Sequence, residues 1–520
     1  MNREFISNIF IRAVMIIFII LMAINSFLVM TKTAIFPRDY QETLYYREDL
    51  TILNIAMLVV FSIVILLFIK YIRKVISIKR LVLIVMIYVF FMSLLFALLR
   101  RDYVQFDPFN VIDQASNFIR DNYSGLDKGN NYLYIYSHQI TTVFLFQVIL
   151  GTFGRATFIL YIMQSFAIAY IVYMLYRLVD IIFENEEVSY TVVVLSALCF
   201  PLIFYVAFIY GTLAGMFLVL VAFYNVIKYF KSNKWYHLMI AAFSINISVL
   251  FIGNNMINML AIFAVLLIYL FRKFDKKVIA FFISTLFMMV AFKSLIINYY
   301  EVASQKSVFE GVNKISWIAM GMQEGDREAG WWNSFNYDIL IDKDYDNEKV
   351  VEVSKNSINQ RLNVFKNNPE YALDFYKRKY DNQFIDPTFQ VLVVTAPQNY
   401  DLGNVDKLLN LKNIIVEDIY FGKLNAISFY IMKAYQIFVY IFTLIASFLL
   451  FRSSRLNHLF IPITFIGGTL FHIIWEAKSR YIFPYFVFLI PLAAYGFVIT
   501  KNYLANKYYE KKEYRSNAKI

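Results

Sequence analysis

Long apolar runs alternate with short polar connections along most of the chain. Hydropathy predicts membrane spans at 13–31, 51–69, 81–99, 156–176, 190–208, 212–227, 237–252, 256–271, 278–297, 427–451, 459–475 and 481–500, because uninterrupted apolar runs of about 18 residues or more match the thickness of a bilayer. A further run at 138–153 is the shortest and most polar. It opens His138-Gln139-Ile140-Thr141-Thr142 and reads as a re-entrant or half-crossing element. The pattern therefore predicts an all-α polytopic membrane protein with about twelve transmembrane helices, or thirteen if 138–153 spans fully.

Basic residues fall into a few of the connections. Lys70, Arg73, Lys74, Lys79 and Arg80 stand between the second and third runs; Lys228, Lys231 and Lys234 form a second group, Arg272, Lys273, Lys276 and Lys277 a third, and Arg452 and Arg455 a fourth. Positive loops stay in the cytoplasm, which places both termini inside and the end of the third span outside. Arg3 and Arg12 flank a first apolar run with no small-residue cleavage site, so it reads as a retained helix in the plasma membrane. The net charge of +12 then reflects membrane orientation, and a nucleic-acid partner is not expected.

One segment breaks the pattern. Residues 298–426 hold 19 of the 37 acidic residues against 14 basic ones and contain no spanning run, so they read as an extracytoplasmic domain. Helical spacing covers 348–365 and 369–381, whereas 389–395, FQVLVVT, fits a strand or a short buried run. That domain is expected to be mixed α/β or mostly helical. The chain thus divides into N-terminal transmembrane helices (1–80), a transmembrane core (81–297) with a first outer loop at 100–138, the extracytoplasmic domain (298–426), and C-terminal helices with a basic cytoplasmic tail (427–520). Composition agrees, with 60% hydrophobic and 19% aromatic residues. The single cysteine, Cys199, excludes an intrachain disulfide and a zinc site built of cysteines.

Candidate chemistry begins where the third span should reach the surface. Asp102 and Asp107 lie there, and Asp107-Pro108 reads as the start of an interfacial helix with Phe109, Ile112, Phe118 and Ile119 as its apolar stripe. Asp107 serves either as the N-cap of that helix or as a catalytic base. Asp102 has Arg100 and Arg101 as adjacent ion-pair partners. Glu476 and Arg480, four residues apart, fit an ordinary helical ion pair, and His472 an interior histidine. Lys293 and Lys433 either contact a lipid phosphate or snorkel to the interface. Asn246, Asn254, Asn255 and Asn258 line a polar cavity or bond between helices, and Trp317, Trp331 and Trp332 stack on sugars or belong to an aromatic belt.

The succession of spanning helix, outward Asp107, amphipathic helix, Tyr-rich run and polar short span resembles the GT-C superfamily of membrane glycosyltransferases. Protein O-mannosyltransferases, aminoarabinose transferases and Gram-positive members that modify cell-wall glycopolymers belong to it. Tyr134-Ile135-Tyr136-Ser137-His138-Gln139 is similar to the family's Tyr-x-x-Tyr-Pro-x-Gln approach to the next helix, with the proline replaced. Ser316-Trp317-Ile318-Ala319-Met320-Gly321-Met322, followed by Gly325 and Gly330, is similar to a Trp-Ile-x-Met-Gly-Leu run of the Gram-positive members. Asn368-Pro369-Glu370-Tyr371 through Asp386-Pro387-Thr388-Phe389 resembles their outer helices. Glu476-Ala477-Lys478-Ser479-Arg480-Tyr481-Ile482-Phe483-Pro484 resembles their Glu-x-x-x-Arg-Tyr-x-x-Pro run.

The resemblance implies a transferase that moves a sugar from a polyprenyl-phosphate donor, such as undecaprenyl phosphate, to an extracytoplasmic glycan or cell-wall polymer by inverting single displacement. It implies Asp107, with Asp102 as alternative, as the base, and Arg480, Lys478 and Lys293 as ligands of the donor phosphate. His138, Gln139, Trp317 and Glu476 would contact substrate. Some relatives use a divalent metal ion and others none, and the carboxylates here are not spaced as a recognisable ligand set. A polysaccharide polymerase or ligase with a diphosphate-linked donor remains an alternative, as does a lipid-linked sugar flippase or transporter. A transporter is expected to carry ionisable groups at mid-membrane, where this chain has mostly asparagine.

Overall fold

The computed structural model describes residues 3–36, 43–100, 104–396 and 414–517. Asp102 and Arg101 lie outside them. Helix α1 (Arg3–Thr31) leads into a two-stranded antiparallel hairpin, β1 (Lys32–Ile35) and β2 (Tyr45–Glu48), in which Thr33 faces Arg47. Long helices α2 (Thr51–Val75) and α3 (Ile78–Arg100) follow, then α4 (Phe106–Phe118), the single turn α5 (Tyr132–Ile135) and α6 (Ile140–Phe153). The core continues through α7 (Thr157–Phe183), α8 (Glu186–Ala197), α9 (Phe200–Phe204), α10 (Thr212–Ser232), α11 (Trp235–Phe251), α12 (Met256–Arg272) and α13 (Lys276–Ser304).

The regular elements described in the segment expected as a separate domain are all helices: α14 (Lys314–Gly321), α15 (Phe335–Asp342), α16 (Asn347–Asn367), α17 (Pro369–Phe384), α18 (Val391–Thr395) and α19 (Ile414–Phe421). Its helix starts are written in the sequence. Asn313, Asp346 and Asn368 each accept hydrogen bonds from first-turn backbone amides, and Pro369 follows its cap at the position where no amide is needed. The FQVLVVT run forms a buried helical turn instead of a strand, because Phe389 and Gln390 adopt left-handed backbone angles that break an extended path. Helices α20 (Lys423–Leu450), α21 (Phe460–Ile474), α22 (Ser479–Val487) and α23 (Ile490–Asn517) complete the chain.

This is an all-α multi-pass membrane protein. Nine helices are long and apolar enough to cross a bilayer, and two bent pairs, α8 with α9 and α22 with α23, raise the number to eleven among the described residues. Helix α11 is apolar but has only 17 residues. Helix α6, with 14 residues, rises about 21 Å and falls short of the roughly 30 Å hydrocarbon layer. Burial sorts the spans. The most apolar window of α20 is 72% buried and forms the centre, whereas those of α2 and α13 are 17% buried and turn their apolar surface outward. Outward-facing leucine, isoleucine and phenylalanine carry no penalty in hydrocarbon.

The basic connections gather at one end of the bundle. There Arg272 donates to Ser7 and Asn8, Lys277 to Asn233, and Tyr190 to the carbonyl of Ile76, while Glu187 pairs with both Arg73 and Lys501. The N-terminal and C-terminal helices therefore share that end. The hairpin, α4 to α6 and α14 to α18 collect at the opposite one. Both ends of α6 remain there, with Thr141 bonded to the Leu250 carbonyl and Gln147 to the Tyr300 hydroxyl at the far end of α13.

Candidate functional site

A cavity of about 1000 Å³ opens at the end of the bundle away from the basic loops. Seven of the nine residues that the family resemblance assigns to the site line it: Asp107, His138, Gln139, Trp317, Glu476, Lys478 and Arg480. The other two do not enter the account. Asp102 lies outside the described residues, and Lys293 is exposed on α13 and is not part of the lining, although its charge reaches His138.

One part of the lining carries the carboxylate. Phe106, at a left-handed φ of 55°, turns the chain into α4, so that Asp107 sits within the first helical turn and Pro108 follows it, buried. Asp107 is therefore not the N-cap expected from sequence. That place belongs to Gln105. The buried face of α4 is Pro108, Val111, Ala115 and Phe118, while Phe109, assigned from its spacing to the apolar stripe, is 54% exposed. The left-handed start rotates the helix relative to an ideal cap and shifts its inward face.

Gln139 donates to the Tyr210 hydroxyl at 2.5 Å, Tyr210 lies 3.3 Å from the Tyr132 hydroxyl, and Tyr132 donates to Asp107 Oδ1 at 3.4 Å. The last contact is long for an O–H···O bond. Burial, with the charge of Asp107 second, pushes both phenols up, so both stay protonated, Tyr132 donating to the carboxylate and Tyr210 bonded to Tyr132. Tyr210 reaches this place because the chain bends between α8 and α9 and turns again at Gly211. That glycine has φ 82°, and a Cβ there would run into the Phe251 carbonyl.

A cationic part of the lining is built from the connection between α21 and α22 and the first turn of α22. Glu476 lies in this non-helical connection and Arg480 one turn later in α22, so the four-residue spacing does not make a helical ion pair. The observed partner of Glu476 is Lys478, at 3.8 Å. The Lys478 ammonium also sits 5.2 Å from the ring centre of the buried Trp331, and the Arg480 guanidinium lies over Phe208 and Tyr481 at 5.6 and 5.1 Å. Arg480 donates to the Tyr481 hydroxyl at 3.2 Å. His472, stacked on Tyr481, donates Nδ1 to the Glu476 carbonyl at 2.9 Å, and its buried Nε2 has no hydrogen-bond partner among the described residues.

Aromatic rings close the cavity. Trp317 and Trp475 stack in parallel, their centres 6.0 Å apart, and Phe471 stacks on Trp475. A loop adds Asp326, Arg327 and Trp332, with Arg327 over the Trp332 ring, and Trp332 donates to the Tyr136 hydroxyl. Trp332 was singled out from sequence as a sugar-stacking or aromatic-belt residue; Asp326 and Arg327, together with Tyr132 and Tyr210, were not. Only the tyrosine-rich run at 132–136 signalled any of them; the others come close through folds of distant segments. Asn254 and Asn255 also line the cavity, whereas Asn246 and Asn258 bond within the helices. Among the described residues no group of three His, Cys, Asp or Glu side chains is placed to hold a metal ion.

Other expectations at this end resolve differently. Arg100 is buried and donates to the Thr395 carbonyl, with its guanidinium over Tyr420; its expected partner Asp102 lies outside the described residues. Lys433 neither snorkels nor lines the cavity. It is buried against Asp49 at 3.0 Å and donates to the carbonyls of Val29 and Lys32. Comparison with protein-family models, with curated proteins and with solved structures finds no match to this chain.

Proposed function

We propose that the chain is a GT-C type membrane glycosyltransferase that uses a polyprenyl-phosphate sugar and an extracytoplasmic glycan or cell-wall polymer as acceptor. The observation that carries this reading is the cavity of about 1000 Å³ at the non-basic end of the bundle, whose lining combines the Asp107 carboxylate with the cations Lys478 and Arg480. By the positive-inside rule the basic end is cytoplasmic and the cavity faces outward. Counting the nine long helices, the two bent pairs and α11 gives twelve crossings, an even number that agrees with both termini at one end. The short sequence motifs that resemble those of the GT-C superfamily support the assignment alongside the site.

The chemistry follows from these charges. An acceptor hydroxyl attacks the anomeric carbon, Asp107 removes its proton, and the bond from that carbon to the phosphate oxygen breaks with its electron pair going to the phosphate. Arg480 and Lys478 neutralise the charge that develops on the leaving group. Trp317 and Trp475 offer a face to a sugar ring. The aromatic and charged lining sits at the end of the bundle and not at its middle, which favours surface transfer over transport.

A second reading has one observation in its favour. Arg327 lines the same cavity as Lys478 and Arg480, and three cations match the charge of a diphosphate-linked donor. Purified protein in liposomes, supplied with an acceptor and with either a polyprenyl-monophosphate or a polyprenyl-diphosphate sugar, distinguishes the two. Release of polyprenyl phosphate from the first donor alone is expected; turnover of the second alone moves the assignment to a polymerase or ligase. Movement of either donor across the bilayer without consumption contradicts both.

A further inference from the structure

The connection carrying Lys478 and Arg480 does not hold its own shape. Three outside contacts fix it. The Gly330 carbonyl accepts from the Ala477 amide at 3.0 Å, His472 bonds the Glu476 carbonyl, and the Ser479 hydroxyl donates to Asp386 Oδ2 at 2.7 Å. The last contact is the most informative, since Ser479 stands between the two cations and begins α22.

Asp386 is fully buried, and its carboxylate accepts four hydrogen bonds. Besides Ser479 these come from the Thr388 amide at 2.8 Å, the Thr388 hydroxyl at 2.7 Å and the Gln390 amide at 2.7 Å. The two amide bonds span Phe389 and Gln390, whose φ angles of 50° and 58° are costly for residues with a Cβ and persist only where surrounding contacts enforce them. The loop is also tied to the central helix α20, because Gln436 donates to the carbonyls of Phe384 and Asp386 at 3.0 Å each. One carboxylate thus joins a strained loop, fixed to the middle of the bundle, to the residue between two cavity cations.

We propose that Asp386 is a positioning residue for the phosphate-binding wall, acting through Ser479 to set the places of Lys478 and Arg480. This rests on the reading of that wall as the site of the donor phosphate. Asp386 does not touch the cavity. Its effect reaches the ligand only through the backbone on either side of Ser479, so losing the bond lets both cations drift while leaving their charge intact. The role also gives the Asp386-Pro387-Thr388-Phe389 stretch a function that the cavity lining alone does not.

The test measures binding of polyprenyl monophosphate, and of the uncharged polyprenyl alcohol, to the full-length protein in nanodiscs. Ser479→Ala is expected to weaken phosphate binding by about tenfold, the equivalent of one hydrogen bond to a charged group. Binding of the alcohol stays unchanged, and Ser479→Thr, which keeps the hydroxyl, restores most of the affinity. In turnover assays the same variant raises KM for the donor more than it lowers kcat. Asp386→Asn should move in the same direction, but it also perturbs the loop, so Ser479→Ala decides. Wild-type affinity in Ser479→Ala overturns the positioning role while leaving the phosphate site intact. A wild-type protein that binds the phosphate no better than the alcohol overturns the reading of the wall itself, and this role with it.

Discussion

Two clusters of charge lie at the same end of the helix bundle and are built for opposite ends. In the first, Asp49 accepts from Thr33, Asn54 and Arg47 and pairs with the buried Lys433, which also donates to two backbone carbonyls. Burial alone would raise the Asp49 carboxyl, yet the Thr33 hydrogen bond and the Lys433 charge outweigh it and hold the group below its ordinary value. The cluster is filled and ties the hairpin to α20. In the second, Asp107 and the cations Lys478 and Arg480 line an open cavity, oriented by phenols, rings and backbone contacts. Charges buried against one another make a staple; charges that border a cavity can act on a third molecule.

The sharpest way to break this comparison is at Asp107. Asp107→Asn is expected to lower sugar transfer by roughly 10²- to 10⁴-fold, the usual contribution of a positioned general base, with an unchanged unfolding midpoint. Lys433→Met should do the reverse. It leaves the buried Asp49 with only the half-exposed Arg47 as counter-charge and is expected to cost about 3 kcal/mol of stability, seen as a lower unfolding midpoint, with donor affinity retained in the protein that stays folded. If Lys433→Met instead impairs donor binding selectively, the two clusters are not functionally distinct. Arg480→Ala should raise KM for the donor by about 10- to 100-fold, consistent with one or two charge-assisted hydrogen bonds to phosphate, and alter acceptor KM far less. Unchanged donor kinetics would remove Arg480 from the phosphate site.

The smallest effect concerns pH. Lys379 on α17 is buried beneath Gly330 and donates to the Gly321 carbonyl; burial lowers its pKa to about 7, partly opposed by Glu476. Below that pH the amine is protonated in both folded and unfolded chains. Between about 7 and the ordinary lysine value of 10.5 the unfolded chain holds more protons, so stability rises with pH across that window. Lys379→Met should flatten that rise in thermal unfolding measured from pH 6 to pH 9. A slope that survives the substitution assigns the effect to other groups.

Much of this was legible in the residues. Apolar runs gave the membrane class because a bilayer demands length and composition that few other structures need, and short motifs carrying Asp107, His138, Gln139, Trp317 and the Glu476 to Arg480 connection converge on one cavity. What stayed hidden depends on the folded path. Tyr210 enters the site through a bend and a left-handed glycine, and Asp326 and Arg327 through a loop whose residues have no periodic pattern. Lys433 looked like a snorkelling lysine because its partner Asp49 is almost four hundred residues away in sequence. The Glu476 and Arg480 spacing suggested a helix turn that the connection before α22 does not make, since spacing carries meaning only once the backbone between the two residues is known.

The central claim is that Asp107 and the cations Lys478 and Arg480 act together on a lipid-linked sugar. The most direct measurement follows release of polyprenyl phosphate from a polyprenyl-phosphate sugar by wild-type protein and by Asp107→Asn in the same reconstituted membranes. The account expects acceptor-dependent release by the wild type and almost none by a variant that is equally folded and still binds the donor. Equal release by the two proteins, or a donor that crosses the membrane without being consumed, would contradict it.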